Sequence, residues 1–131
     1  VAMPTRVEFS AVSAQTNLEQ LLIDESLLPF PDAADALGVP VTKIHDYVQA
    51  RKLVVFKRDG KKFIPARLLG EDGLSKFVSG AITVLSDGGF DDEEILSFLF
   101  TEDETLPGRP VDALHGQKAR EVIRRAQAMA F

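Results

Sequence analysis

The chain has no cysteine, which excludes a disulfide framework and any thiolate zinc site and suits a reducing compartment. Its two histidines, His45 and His115, lie far apart without an accompanying nucleophile motif. Neither GxGxxG nor GxxxxGK[ST] occurs, so no glycine loop is available to cradle a phosphate. These absences point away from an enzyme, and no catalytic residue and no cofactor are expected. The acidic run Asp91, Asp92, Glu93, Glu94 lacks the alternating spacing of a calcium loop, so it reads as helix-start acids and no metal site is expected. No apolar run approaches the roughly 18 residues of a membrane span, and the first residues lack the basic-then-apolar pattern of a signal peptide. A cytoplasmic protein without a membrane partner is the expectation. Internal repeats and low-complexity segments are missing too.

What is there is a chain of 131 residues, 45% hydrophobic, enough for one ordinary core or two very small ones. The net charge of −5 conceals a segregation. Residues 1–31 carry one cation against four acids, net −3. Residues 32–69 carry eight cations against four acids, net +4, and residues 70–131 carry six against twelve, net −6. A polyanion meets a local patch rather than an average, so the basic middle matters more than the acidic sum.

Residues 1–15 have no consistent periodicity and read as a flexible tail. A first helix is expected after Thr16 or Asn17, with Leu18, Leu21 and Leu22 on one face. Asp32 can cap a short helix over "AADALG", with Ala33, Ala34 and Leu37 inward and Gly38 ending it. After "GVPVT" a second helix runs from Val41 or Thr42 to Ala50. Val41, Ile44 and Val48 face inward with Tyr47, leaving Thr42, Lys43, His45, Asp46 and Gln49 outside. Further helices are expected from about Leu74 to Ser86, over "DDEEILSFLF", over a short "VDALHG" segment that Pro110 opens, and over "QKAREVIRRAQAMAF". The last of these places Ala119, Val122, Ile123, Ala126 and Met129 on one side. His115, near a helix end, is expected to cap carbonyls or pack.

Between these helices lies "LVVFKRDGKKFIP". Asp59-Gly60 is a strong hairpin signal, because a type I′ turn needs positive φ at both central residues. That turn sets Arg58 opposite Lys61, Lys57 opposite Lys62, Phe56 opposite Phe63 and Val55 opposite Ile64. Two like-charge pairs then face each other, which is destabilising unless an anion lies over them. Short helix, glycine turn, helix and hairpin is the order of a winged helix-turn-helix: the second helix enters the major groove and the hairpin follows phosphates. Lys43, His45 and Gln49 are the candidates for base edges, and Thr42 for a phosphate at the helix start. Lys43, Arg51, Lys52, Lys57, Arg58, Lys61 and Lys62 are the candidates for phosphate. If all seven made contact, the salt slope would be about −6.

The fold class expected is therefore mainly α with a small β-hairpin wing. The winged helix-turn-helix occupies residues 16–69, and a helical bundle for packing or oligomerisation occupies residues 70–131.

"FPDAADALGVPVTKIHDYVQARKLVVFKRDGKKFIPARLL" resembles the excisionase and MerR-type DNA-binding heads. With "LSDGGFDDEEILSFLFTED" and "RPVDALHGQKAREVIRRAQAMAF", most of residues 28–131 resembles a small actinobacterial family of winged-helix DNA-binding regulators with its own helical C-terminal domain. The resemblance implies double-stranded DNA as partner, with recognition-helix and wing roles falling on residues 42–49 and 57–62. It also implies a Ser/Thr protein kinase acting on the N-terminal tail, where Thr5 is a candidate acceptor among Thr5, Ser10, Ser13 and Thr16. "LPGRPVDALHG" with the terminal helix resembles the toxin-binding domain of some antitoxins, which implies an association surface, and a homodimer is a further candidate assembly. The alternative function is accordingly a protein-interaction module, antitoxin-like or a kinase-signalling adaptor, acting through the C-terminal helices.

Overall fold

The computed structural model describes residues 18–70, 73–106 and 108–130. The expected tail over 1–15, its candidate Thr5, and the cap at Thr16 or Asn17 lie outside the described residues. Residues 18–21 are helical (α1), and Leu18 and Leu22 are buried. The chain continues through β1 (Leu27–Leu28), α2 (Phe30–Leu37), α3 (Val41–Gln49), β2 (Phe56–Arg58), β3 (Lys61–Pro65) and a 3-10 turn (Ala66–Leu68). Then follow α4 (Lys76–Asp87), α5 (Asp92–Phe100), α6 (Pro110–Leu114) and α7 (Ala119–Ala130).

The hairpin forms as its turn dictates. Asp59 and Gly60 have φ of 52° and 76°, and the register is Phe56↔Phe63, Lys57↔Lys62 and Arg58↔Lys61. The ladder stops there, one pair short of the expectation. Val55 turns its N–H to the Asp92 carboxylate at 3.3 Å, and Ile64 pairs with Leu28 of β1 instead. The result is an antiparallel sheet ordered β1-β3-β2.

Several expected positions shift for local reasons. Helix α2 starts at Phe30 with Pro31 in its first turn, because proline's fixed φ suits a helix start, so Asp32 lies inside the first turn instead of capping it. Ile44 is the buried anchor of α3, with Tyr47 and Val48 half-buried, whereas Val41 at the first position is 39% exposed. Ser75 caps α4 by accepting from the Val78 N–H, which leaves Leu74 before the helix. Helix α5 carries a reciprocal capping box between Asp91 and Glu94 and buries Ile95, Leu96, Leu99 and Phe100. On α7 Ala119, Val122 and Ala126 are buried, but Met129 near the end is 46% exposed.

One hydrophobic cluster runs through both halves, from Leu18, Ala33, Ile44, Leu53 and Phe56 to Val78, Ile82, Leu96, Val111 and Val122. Among the described residues no helix is long and apolar enough to cross a membrane.

Candidate nucleic-acid interface

Helix α3 presents its polar side as expected: Thr42, Lys43, His45, Asp46 and Gln49 are all exposed. Two of them are steadied from beside. The Lys43 ammonium lies 5.5 Å from the Tyr47 ring centroid, and the His45 ring meets Phe30 edge-on at 4.8 Å. The helix follows Pro40 and no side chain caps its first turn; the Lys43 N–H donates to the Pro40 carbonyl at 2.9 Å.

The wing is a cationic edge. Lys57, Lys61 and Lys62 are exposed, and none of them forms an ion pair among the described residues. Arg58 reaches Glu19 only at 3.8 Å and rests over Phe56 at 5.5 Å. A cleft of about 280 Å³ separates β2 from the start of α5, with Val55, Phe56 and Lys57 on one side and Asp91, Asp92 and Glu93 on the other. Lys61 and Lys62 on the facing strand β3 do not line this acidic cleft.

The structure separates Arg51 from the other candidates. Helices α2 and α3 end in the same motif: the residue past the cap is left-handed, and the next two N–H groups fold back onto the last turn. At α2 that residue is Gly38, φ 68°, with Gly38 N donating to Asp35 O and Val39 N to Ala34 O. At α3 it is Arg51, φ 59°, with Arg51 N donating to Val48 O and Lys52 N to Tyr47 O. A non-glycine residue there costs about 1–2 kcal/mol. Contacts from the C-terminal half hold it. Arg51 Nη2 meets Asp92 Oδ1 at 2.7 Å, its Nε donates to Ser86 Oγ at 2.7 Å, and its carbonyl accepts from Thr83 Oγ1 at 2.9 Å. The Arg51 guanidinium is thereby committed within the molecule, while Lys52 beside it is exposed.

Sequence reasoning missed Asp92, having read it only as a helix-start acid. The available signal was an arginine where the preceding helix had used glycine.

A second polar junction joins the head to the C-terminal half. Arg109 bonds Glu25 at 2.9 Å and Asp112 at 2.9 Å, and Arg67 bonds Asp112 at 2.7 Å. His115 Nε2 contacts the Arg67 carbonyl at 2.7 Å, so it does satisfy a carbonyl, one belonging to the head. Burial pushes the Asp112 carboxyl up, and hydrogen bonds from Arg109 and Arg67 outweigh it, holding the group below the usual carboxylate range.

Residues 15–69 match the family described as DNA-binding protein Rv2175c, wHTH domain, and residues 76–130 match the Rv2175c C-terminal domain of unknown function. The chain is 41% identical over 121 residues to the DNA-binding protein Rv2175c of Mycobacterium tuberculosis (strain ATCC 25618 / H37Rv), covering 82% of this chain and 83% of that protein. The NMR structure of Rv2175c superposes with a TM-score of 0.75 at 40% identity, covering 82% of this chain and 83% of that one.

Proposed function

The chain belongs to the Rv2175c family, and from that premise we propose that it binds duplex DNA as a transcriptional regulator with an excisionase- or MerR-type head. Helix α3 enters the major groove. Lys43, His45 and Gln49 face base edges there, and Thr42 at the helix start meets a phosphate. Lys57, Arg58, Lys61 and Lys62 follow the backbone, with Lys52 beside them. Arg51 is left out of this set because Asp92 and Ser86 already hold it.

The observation that carries the reading is the wing register, Lys57↔Lys62 and Arg58↔Lys61. Like charges directly opposite each other oppose folding, and a phosphate backbone laid over them turns that cost into affinity.

The test is titration of a labelled duplex of about 25 base pairs at about 50 and about 200 mM salt. Native protein should bind with strong salt dependence. The variant K57E/R58E/K61E/K62E should lose binding while its circular dichroism stays native. Undiminished affinity in that folded variant would remove the wing from the interface.

A second reading has one specific observation behind it. A cavity of about 710 Å³ between α4 and α7 has Phe77 and Ile123 as its apolar lining and Lys76, Arg120 and Arg124 at its rim, which suits an acidic peptide. Charge reversal at those three cations leaves duplex affinity unchanged if the C-terminal helices serve a protein partner.

A further inference from the structure

We infer that Asp92, in the C-terminal half of the chain, is a positioning residue for the DNA-reading head: its carboxylate fixes the angle between α3 and the wing. The inference rests on the DNA-binding reading and extends it to a side chain whose charge excludes it from touching phosphate.

Helix α3 ends at Gln49 and β2 begins at Phe56, so their relative orientation depends on residues 50–55. One carboxylate grips both ends of that connection. Asp92 Oδ1 pairs with Arg51 at 2.7 Å, next to the helix, and Asp92 Oδ2 accepts from the Val55 N–H at 3.3 Å, next to the strand. Between those points Leu53 and Val54 are completely buried, so the connection cannot swing outward without exposing them.

The backbone at Arg51 shows that this grip is held against a local cost. A glycine at position 51 would adopt φ 59° without strain, as Gly38 does at the end of α2, yet the chain keeps arginine there. Backbone strain of this kind persists where surrounding contacts over-determine it, and Asp92, Ser86 and Thr83 supply those contacts. Asp92 is also the first residue of α5, where its negative charge complements the helix dipole. With the joint locked, α3 and the wing are presented in one arrangement before DNA arrives, and binding does not have to order them.

The test uses the full chain and the labelled duplex. Asp92→Ala should weaken binding about tenfold with native circular dichroism. Asp92→Asn, which keeps an acceptor for the Val55 N–H but loses the ion pair with Arg51, should weaken it about threefold; it serves if the alanine variant folds poorly, and native affinity in it then overturns the inference. Coupling is the discriminating readout. Lys62→Glu should cost clearly less affinity in the Asp92→Ala background than in the native chain, because the wing is no longer held in place. A residue that only stabilises the fold gives additive effects. Native affinity in Asp92→Ala, or additivity with Lys62→Glu, overturns the inference. If the native chain itself fails to bind duplex, the DNA-binding reading falls, and residual dipolar couplings of α3 and β2–β3 then decide: a changed inter-element angle in Asp92→Ala supports the brace, and an unchanged one overturns it.

Discussion

Asp112 accepts hydrogen bonds from Arg67 and Arg109, two arginines on opposite sides of the junction. Its carboxyl sits below the usual range, so its folded pKa is below the unfolded value of about 3.9. Such a group contributes stability that is fully present above the unfolded pKa and is lost as pH falls through the folded one. Melting temperatures of native protein and Asp112→Asn, followed from neutral pH downward, should therefore differ at neutral pH and converge below about pH 4. The difference should be modest, because 38% of that side chain remains accessible. Gly88 offers a packing test at the same scale. A Cβ built there would come within 3.0 Å of the Ala130 backbone, at the end of α7. Gly88→Ala should destabilise the fold by about 1–3 kcal/mol, measured by denaturant titration.

The wing element carries a prediction in which stability and function move in opposite directions. Lys62→Glu converts the facing pair Lys57↔Lys62 into one of opposite charge, and should stabilise the fold by about 0.2–1 kcal/mol. The same change should weaken duplex binding and flatten its salt dependence. A loss of both stability and affinity would show that the like-charge pair is not a folding cost. This hairpin was the most legible element in the sequence, since Asp59-Gly60 fixes the turn type and the turn fixes the register. The exposed side of α3 was legible through its spacing, and so was the acidic start of α5. Strand β1 was not, because two residues are too short to show any period and its pairing with β3 is set by tertiary contact. The start of α2 was misplaced because Asp32 resembles a cap, whereas Pro31 sets the boundary. The Arg51–Asp92 contact joins residues far apart in the chain, and local pattern carries no register for such a pair.

At the scale of the whole molecule, the basic head and the acidic helices form one body rather than two beads. The hydrophobic cluster is continuous from Leu18 to Ala126, and polar junctions centred on Arg51–Asp92 and on Asp112 close it at two places. Two small cores joined only by the segment over 70–75 would unfold separately, whereas a shared core should unfold in one cooperative step. The composition offers a clean probe, since the chain has a single tyrosine and no tryptophan. That tyrosine, Tyr47, lies on α3, so tyrosine fluorescence reports the head. Far-UV circular dichroism is weighted towards the C-terminal half, where α4 and α7 have 12 residues each. The two signals should share one denaturant midpoint, and saturating duplex should raise both equally, because a ligand on one part of a cooperative unit stabilises all of it. Separate midpoints, or a duplex-induced shift in the tyrosine signal alone, would mean that the junctions are too weak to couple the halves.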